Sequence, residues 1–175
     1  MTDIAPLLRQ RWSPQAFDPA HVVGDAEVGL LLEAARWAPS ARNRQPWRFV
    51  TGRRGDATWA RLRPLVAGHS DWALDAALLV ANLYESRVPE VDLALYDLGG
   101  AVAHMTLQGE ALGLHARQFR TFDVPGFVRE FGIRPPLTVV TLTAFGRAAS
   151  GAEPEGRTRA DADALLLRQP AGRLG

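Results

Sequence analysis

Hydrophobic and polar positions along this chain switch between a helical and an extended period, and the switches outline its elements. Residues 2–10 predict a short helix, followed by a polar stretch to residue 18. Val28, Leu31, Leu32 and Ala35 share one helical face, with Asp25 as the predicted N-cap of a helix to about Trp37. A polar turn then leads into a short strand at 47–51. Trp59, Leu62, Leu65 and Val66 predict a helix interrupted or bent at Pro64. Residues 78–83, apolar except for Asn82, have the pattern of a buried strand. The longest helix is predicted over 93–112, a strand over 114–119, and a short helix over 125–131 ended by Gly132. Residues 137–145, rich in Val, Leu and Thr, predict a central strand. The stretch 148–159 is rich in Gly, Pro and charge and reads as a linker or arm; 160–168 predicts a last helix, and 170–175 a loose end. Helices and strands mix without regular alternation, which argues α+β rather than a doubly wound sheet.

Two segments are unusual for their positions. Between the second helix and the first strand lies Ala38-Pro39-Ser40-Ala41-Arg42-Asn43-Arg44-Gln45-Pro46-Trp47. Pro39 should stop the helix, Ser40 and Asn43 suit a turn or a ligand, and Pro46 and Trp47 anchor the exit. The long helix carries Gly99, Gly100, Ala101, Ala103 and Gly109, which lower helix propensity and imply close approach of another backbone. It reads either as an oligomer core or as a central intramolecular helix.

Composition narrows the chemistry. At 175 residues, 47% apolar and 22% charged, the chain fits one globular domain. A net charge of +1 leaves no footprint for a polyanion, so no nucleic-acid partner is expected. Every basic residue is Arg, which excludes Schiff-base and P-loop lysine chemistry. Cysteine is absent, which excludes disulfides, thiolate catalysis and iron–sulfur clusters on this chain. Residues 1–11 lack the apolar run of a secretory signal, and the longest apolar run, 76–81, is too short for a bilayer. A cytoplasmic protein without membrane contact is the expectation. His21, His104 and His115 show no metal-ligand spacing and read as structural, so no metal is expected.

Several segments together resemble one family. Arg11-Trp12-Ser13-Pro14-Gln15-Ala16-Phe17 resembles the R-x-S-x-R/K-x-F opening of the FMN-dependent nitroreductases. Residues 38–49 are similar to their A/S-P-S-x-x-N-x-Q-P-W-x-F segment. Asp97-Leu98-Gly99 with Leu112-Gly113-Leu114, Phe122-Asp123, Glu130-Phe131-Gly132-Ile133 and Arg157-Thr158-Arg159 follow in the family's order. The resemblance implies an α+β fold around a mixed central sheet flanked by helices, assembled as an intertwined homodimer. Residues 1–147 would form the FMN-binding domain, and 148–175 an arm packing on the partner subunit and completing the phosphate site. FMN would pass two electrons from NADPH or NADH to a small-molecule acceptor, such as a nitroaromatic or quinone, by a ping-pong scheme.

By the same resemblance, Arg11, with Arg157 and Arg159, would hold the flavin phosphate, guanidiniums being suited to bidentate phosphate binding. Ser13 would bind near the phosphate or ribityl chain, and Trp12 would be among the cofactor-binding residues. Pro39, Ser40 and Asn43 would come from the other subunit; the alternative is a helix-stop turn whose Ser and Asn bond only backbone. Gln45 and Trp47 read as a loop brace and a core anchor. Gln15 departs from the pattern, because the family places Arg or Lys there, near the pyrimidine end of the flavin. Neutral Gln should lower the potential. Gly68-His69-Ser70-Asp71-Trp72 falls where some members carry Asn and then Lys. His69 reads as a replacement donor or a surface histidine, and Trp72 removes a second cation. Backbone N–H groups of Arg120 and Thr121 would face flavin N5; no side-chain acid or base is required. The short connection 85–92 predicts an open pocket. Two other functions stay open: an oxidase or dehydrogenase of the same fold, and a non-catalytic flavin-binding protein. A deazaflavin in place of FMN also stays open.

Overall fold

The structure, a computed structural model, describes residues 4–86, 92–154 and 156–167. Five helices and four strands follow in the order α1 (Pro6–Gln10), α2 (Asp25–Arg36), β1 (Trp47–Arg53), α3 (Ala57–Val66), β2 (Leu78–Glu85), α4 (Asp92–Ala111), β3 (His115–Phe119), α5 (Val124–Glu130) and β4 (Leu137–Gly146). The strands form one sheet ordered β1-β2-β4-β3. Among the described residues every pairing is antiparallel, where the resemblance predicts a mixed sheet. Hydrogen-bond direction is decided by which strands meet, and apolar periodicity does not report it.

The sheet is covered on both faces, which explains why β2 is apolar at 78–81 and again at Leu83 without alternating. Leu78 and Val80 point into a core shared with Leu31 and Ala35 of α2 and with Ala101, Val102 and Met105 of α4. Leu79, Ala81 and Leu83 point the other way, against Trp59 and Leu62 of α3 and Phe127 of α5. Gly52 lets α3 close on β1: a Cβ there would lie 2.8 Å from the Trp59 backbone nitrogen. The apolar surface buried on both faces is the main source of stability for such a sandwich.

Local signals decide the element ends, and three differ from expectation. The N-cap of α2 is Gly24, whose N–H donates to the Glu27 carboxylate at 2.8 Å; Asp25 is the first helical residue. This single bond to an acid three residues on is one half of a capping box, because glycine has no side chain to return the other. α3 runs through Pro64 to Val66, because a proline in the last turn removes only one helical bond. Gly99 and Gly100 of α4 have nothing near a would-be Cβ, whereas a Cβ on Gly109 would lie 3.1 Å from the Phe145 ring. Close approach therefore occurs to the sheet at one end of α4, within the chain. The predicted last helix is a single 3-10 turn, Ala162–Leu165, with no buried residue. Leu165, Leu166 and Leu167 are exposed, and among the described residues nothing buries this segment to stabilise a longer helix. The first residues of the first predicted helix, the last residue of the last one, the whole loose end 170–175 and most of the short 85–92 connection lie outside the described residues.

Candidate functional site

The segment between α1 and α2 runs along the sheet edge and is clamped to the arm. Phe17 bridges Ala148, the Asp18 N–H donates to Arg147 O at 2.9 Å, and the Ala149 N–H donates to Ala16 O at 3.0 Å. These bonds place residues 11–15 beside residues 153–159. A cavity of about 220 Å³ opens between them, lined by Arg11, Trp12, Ser13, Gln15, Glu153, Pro154, Arg157 and Arg159. Three guanidiniums face one carboxylate there, so the cavity is cationic. The Arg11 guanidinium lies 3.5 Å from Ser13 Oγ, and Arg157 donates through Nη1 to the Gln10 and Arg11 carbonyls. Arg157 thus ties the arm to the N-terminal segment of its own chain. Oriented guanidinium and hydroxyl donors converging in a partly open cavity are chemistry for a phosphate-sized anion.

Six of the residues singled out in the sequence, Arg11, Trp12, Ser13, Gln15, Arg157 and Arg159, are gathered in this one cavity. A second group adjoins it through Gln15. Arg117 of β3 donates to Gln15 Oε1 at 2.9 Å and to the Pro14 carbonyl at 3.2 Å, and its Cζ lies 4.1 Å from the centroid of Trp72. Trp72 meets Phe17 in a stacked contact and Phe119 edge-on. The Ser70 hydroxyl donates to the Thr121 carbonyl at 2.8 Å, which joins the loop of His69 and Trp72 to the end of β3. His69, Arg120 and Thr121 are exposed at this junction.

The turn after α2 is built differently. Arg42, Asn43 and Gln45 all adopt left-handed backbone angles, with φ of 55°, 54° and 50°. Such angles cost about 1 kcal/mol or more for each residue with a Cβ, so the surroundings must hold them. Ser40 Oγ accepts from the Gln45 N–H at 3.0 Å, the Gln45 side chain donates to Asn43 O at 3.1 Å, and buried Asp97 of α4 accepts from the Ala41 N–H at 3.0 Å. Pro39, Ser40 and Asn43 do not line the cavity. Ser40 Oγ is engaged within the turn, and Trp47 is buried in the core. Asp97, Arg117, Glu153 and Pro154 were not singled out for the site from sequence. For Arg117 a signal existed: His115, Arg117 and Phe119 alternate along β3 and share one face.

That face also carries a titratable brace. His115 Nδ1 accepts from the Ala148 N–H at 3.3 Å, and its ring meets Trp12 edge-on at 5.0 Å. Burial pushes its pKa below 6.5, partly offset by Glu110. His21 is also lowered, first by burial and then by the charge of Arg147.

Fold and cavity together define a small α+β protein with a cationic pocket between its N-terminal segment and its arm. The nitroreductase family model matches residues 8–86. YdgI of Bacillus subtilis, whose name assigns it by inference as an NAD(P)H nitroreductase, is 40% identical over 48 residues. That match spans 27% of this chain and only 23% of the relative. A solved structure described as an oxidoreductase containing FMN is 28% identical, covers 85% of this chain and 79% of that one, and superposes with a TM-score of 0.75. A protein of Desulfovibrio desulfuricans assigned by inference as a nitroreductase, solved in complex with FMN, is 27% identical over 97% of this chain and 100% of its own, with a TM-score of 0.76. The nitroreductase family is thus what this chain is similar to.

Proposed function

We propose that this chain is an FMN-dependent oxidoreductase that takes two electrons from NADPH or NADH and delivers them to a small acceptor of the nitroaromatic or quinone class. The observation that carries this reading is the cavity in which Arg11, Ser13, Arg157 and Arg159 converge. Its donor set fits the phosphate of FMN, and two structural relatives contain FMN. When bound, FMN supplies hydride acceptance and donation. The chain's own residues bind and orient. Arg11, Arg159 and the Ser13 hydroxyl hold the phosphate, and Arg157 holds the arm in place as it contributes charge. Trp12, Gln15, His69 and Trp72 line the remainder, with backbone N–H groups of Arg120 and Thr121 toward N5.

A homodimer completes this reading, with Pro39, Ser40 and Asn43 supplied by the second copy. Its support is apolar surface that a monomer leaves in water. Leu7, Leu30, Trp37 and Leu107 line a groove of about 470 Å³, and Trp37 and Tyr96 are 72% and 80% exposed. Contiguous apolar patches of this kind mark interfaces. The strained turn then has a purpose: rigid presentation of its polar residues to a site on another molecule.

The test is an absorbance spectrum of purified protein with added FMN, followed by anaerobic titration with NADPH and NADH. Flavin absorbance that bleaches with either donor is expected. Protein that takes up no FMN ends the proposal, and bound FMN that neither donor reduces shifts it to an oxidase or dehydrogenase of the same fold. Light scattering showing a monomer with FMN bound would defeat the shared site.

A further inference from the structure

The sequence places neutral residues, Gln15 and Trp72, at the two positions where relatives are expected to carry cations near the flavin pyrimidine. The structure puts a guanidinium between them. Arg117 reaches across from β3, rests on the face of Trp72 with its Cζ 4.1 Å from the ring centroid, and donates to Gln15 Oε1 at 2.9 Å. Its third contact is the Pro14 carbonyl at 3.2 Å. All three partners are uncharged. Among the described residues no ion pair uses Arg117, so its charge is held in place without being neutralised. Arg117 is also half-buried, and a charge withdrawn from water acts on its neighbours with less screening than an exposed one.

Gln15 connects this guanidinium to the cavity, because it lines the cavity and also accepts from Arg117. The exchange is chemically coherent. A lysine or arginine at position 15 would repel Arg117, whereas a glutamine carbonyl accepts its hydrogen bond. A lysine at position 72 would repel it too, whereas an indole face attracts it. Both departures from the family pattern therefore become the fittings that a single relocated cation requires.

We propose that Arg117 supplies the positive charge at the pyrimidine edge of bound flavin, with Gln15 and Trp72 as its positioning residues. This rests on the FMN reading above. A cation at that edge favours the more negatively charged reduced flavin over the oxidised one. Its removal therefore shows in the affinity ratio between the two redox states, more than in affinity for oxidised FMN.

The experiment measures the midpoint potential of bound FMN and the dissociation constant of oxidised FMN in wild type, Arg117→Met, Arg117→Gln and Arg117→Lys. Met and Gln are expected to reduce the preference for reduced flavin about tenfold, a shift of about 30 mV to lower potential for a two-electron couple. Lys is expected to stay near wild type. Adding Gln15→Arg to Arg117→Met should restore the potential, a rescue that a packing role for Arg117 would not produce. Unchanged potentials in Met or Gln with FMN bound overturn the proposal, as does a Lys variant that falls as far as Met. If both neutral variants fail to fold, wild type and Lys are compared with Gln15→Arg, which should displace Arg117 and leave the potential near wild type; a loss of potential there overturns it. Absence of FMN from the wild type instead defeats the underlying reading and is separately visible.

Discussion

At one end of the candidate site, Arg11 and Ser13 stand two residues apart on one segment and meet Arg157 and Arg159, two apart on another. At the other end, Arg117, Gln15 and Trp72 come from three separate parts of the chain and share a single charge. The first end has several cations, of which Arg157 and Arg159 are exposed, so each is screened and partly replaceable. The second has one half-buried cation on a fixed seat. Redundant charge suits grip on a phosphate, whereas one positioned charge suits tuning of a redox centre. Affinity and potential should therefore separate along this line.

The largest expected effect is on affinity. Arg11→Ala and Arg159→Ala should each weaken FMN binding by about 1.5–3 kcal/mol, the range for a hydrogen bond to a charged group, with little change in potential. Fluorescence titration of FMN checks this, and an unchanged dissociation constant removes that arginine from the site. The Arg117 substitutions should show the converse, a shifted potential at nearly constant affinity for oxidised FMN.

Smaller effects sharpen the division. Trp72→Leu removes the seat of Arg117, a contact of roughly 0.5–1 kcal/mol, and should lower the potential by less than Arg117→Met does. A rise would mean that the ring, rather than the guanidinium resting on it, sets the potential. Ser13→Ala should cost about 1 kcal/mol of FMN affinity, measured in the same titration.

The smallest effect is in pH. His115 has a folded-state pKa below 6.5, so the unfolded chain binds more protons there and stability rises with pH across that window. The contribution is fully present above 6.5 and is lost as pH falls from 6.5 through the lowered folded-state value. Protonation also removes the acceptor of the Ala148 N–H, at the root of the arm. Denaturant unfolding at pH 7.5 and 5.5 (both about one unit from the titration range's upper edge) should show less loss in His115→Asn than in wild type. Equal losses would assign the pH dependence elsewhere, with His21 as the next group to replace.

Much of the scaffold is legible in the chain because burial on both faces leaves a mostly apolar segment that does not alternate. The 78–83 segment, apolar except for Asn82, is the clearest case, and it falls within β2. The Arg11–Ser13 and Arg157–Arg159 spacings are also legible, since each pair lies within one extended segment where alternate residues share a side. The turn at 38–47 was marked by its prolines, but its work was not. Ser40 reads equally as a ligand donor or a turn brace until Gln45 is seen to donate to it, and Asp97 is far away in sequence.

The sequence by itself determined where most helices and strands lie and that lysine and cysteine chemistry is absent from this chain. Tertiary structure alone decided that every strand pair in the described sheet is antiparallel, that the arm's arginines return to the N-terminal segment, and that Arg117 sits between Gln15 and Trp72. The physical reason is range. Burial and backbone preference act within a few residues and leave a period in the sequence, whereas a charge acts on whatever the fold brings beside it. Gln15 and Trp72 are losses of charge when taken singly, and a seat for one cation once β3 lies against them.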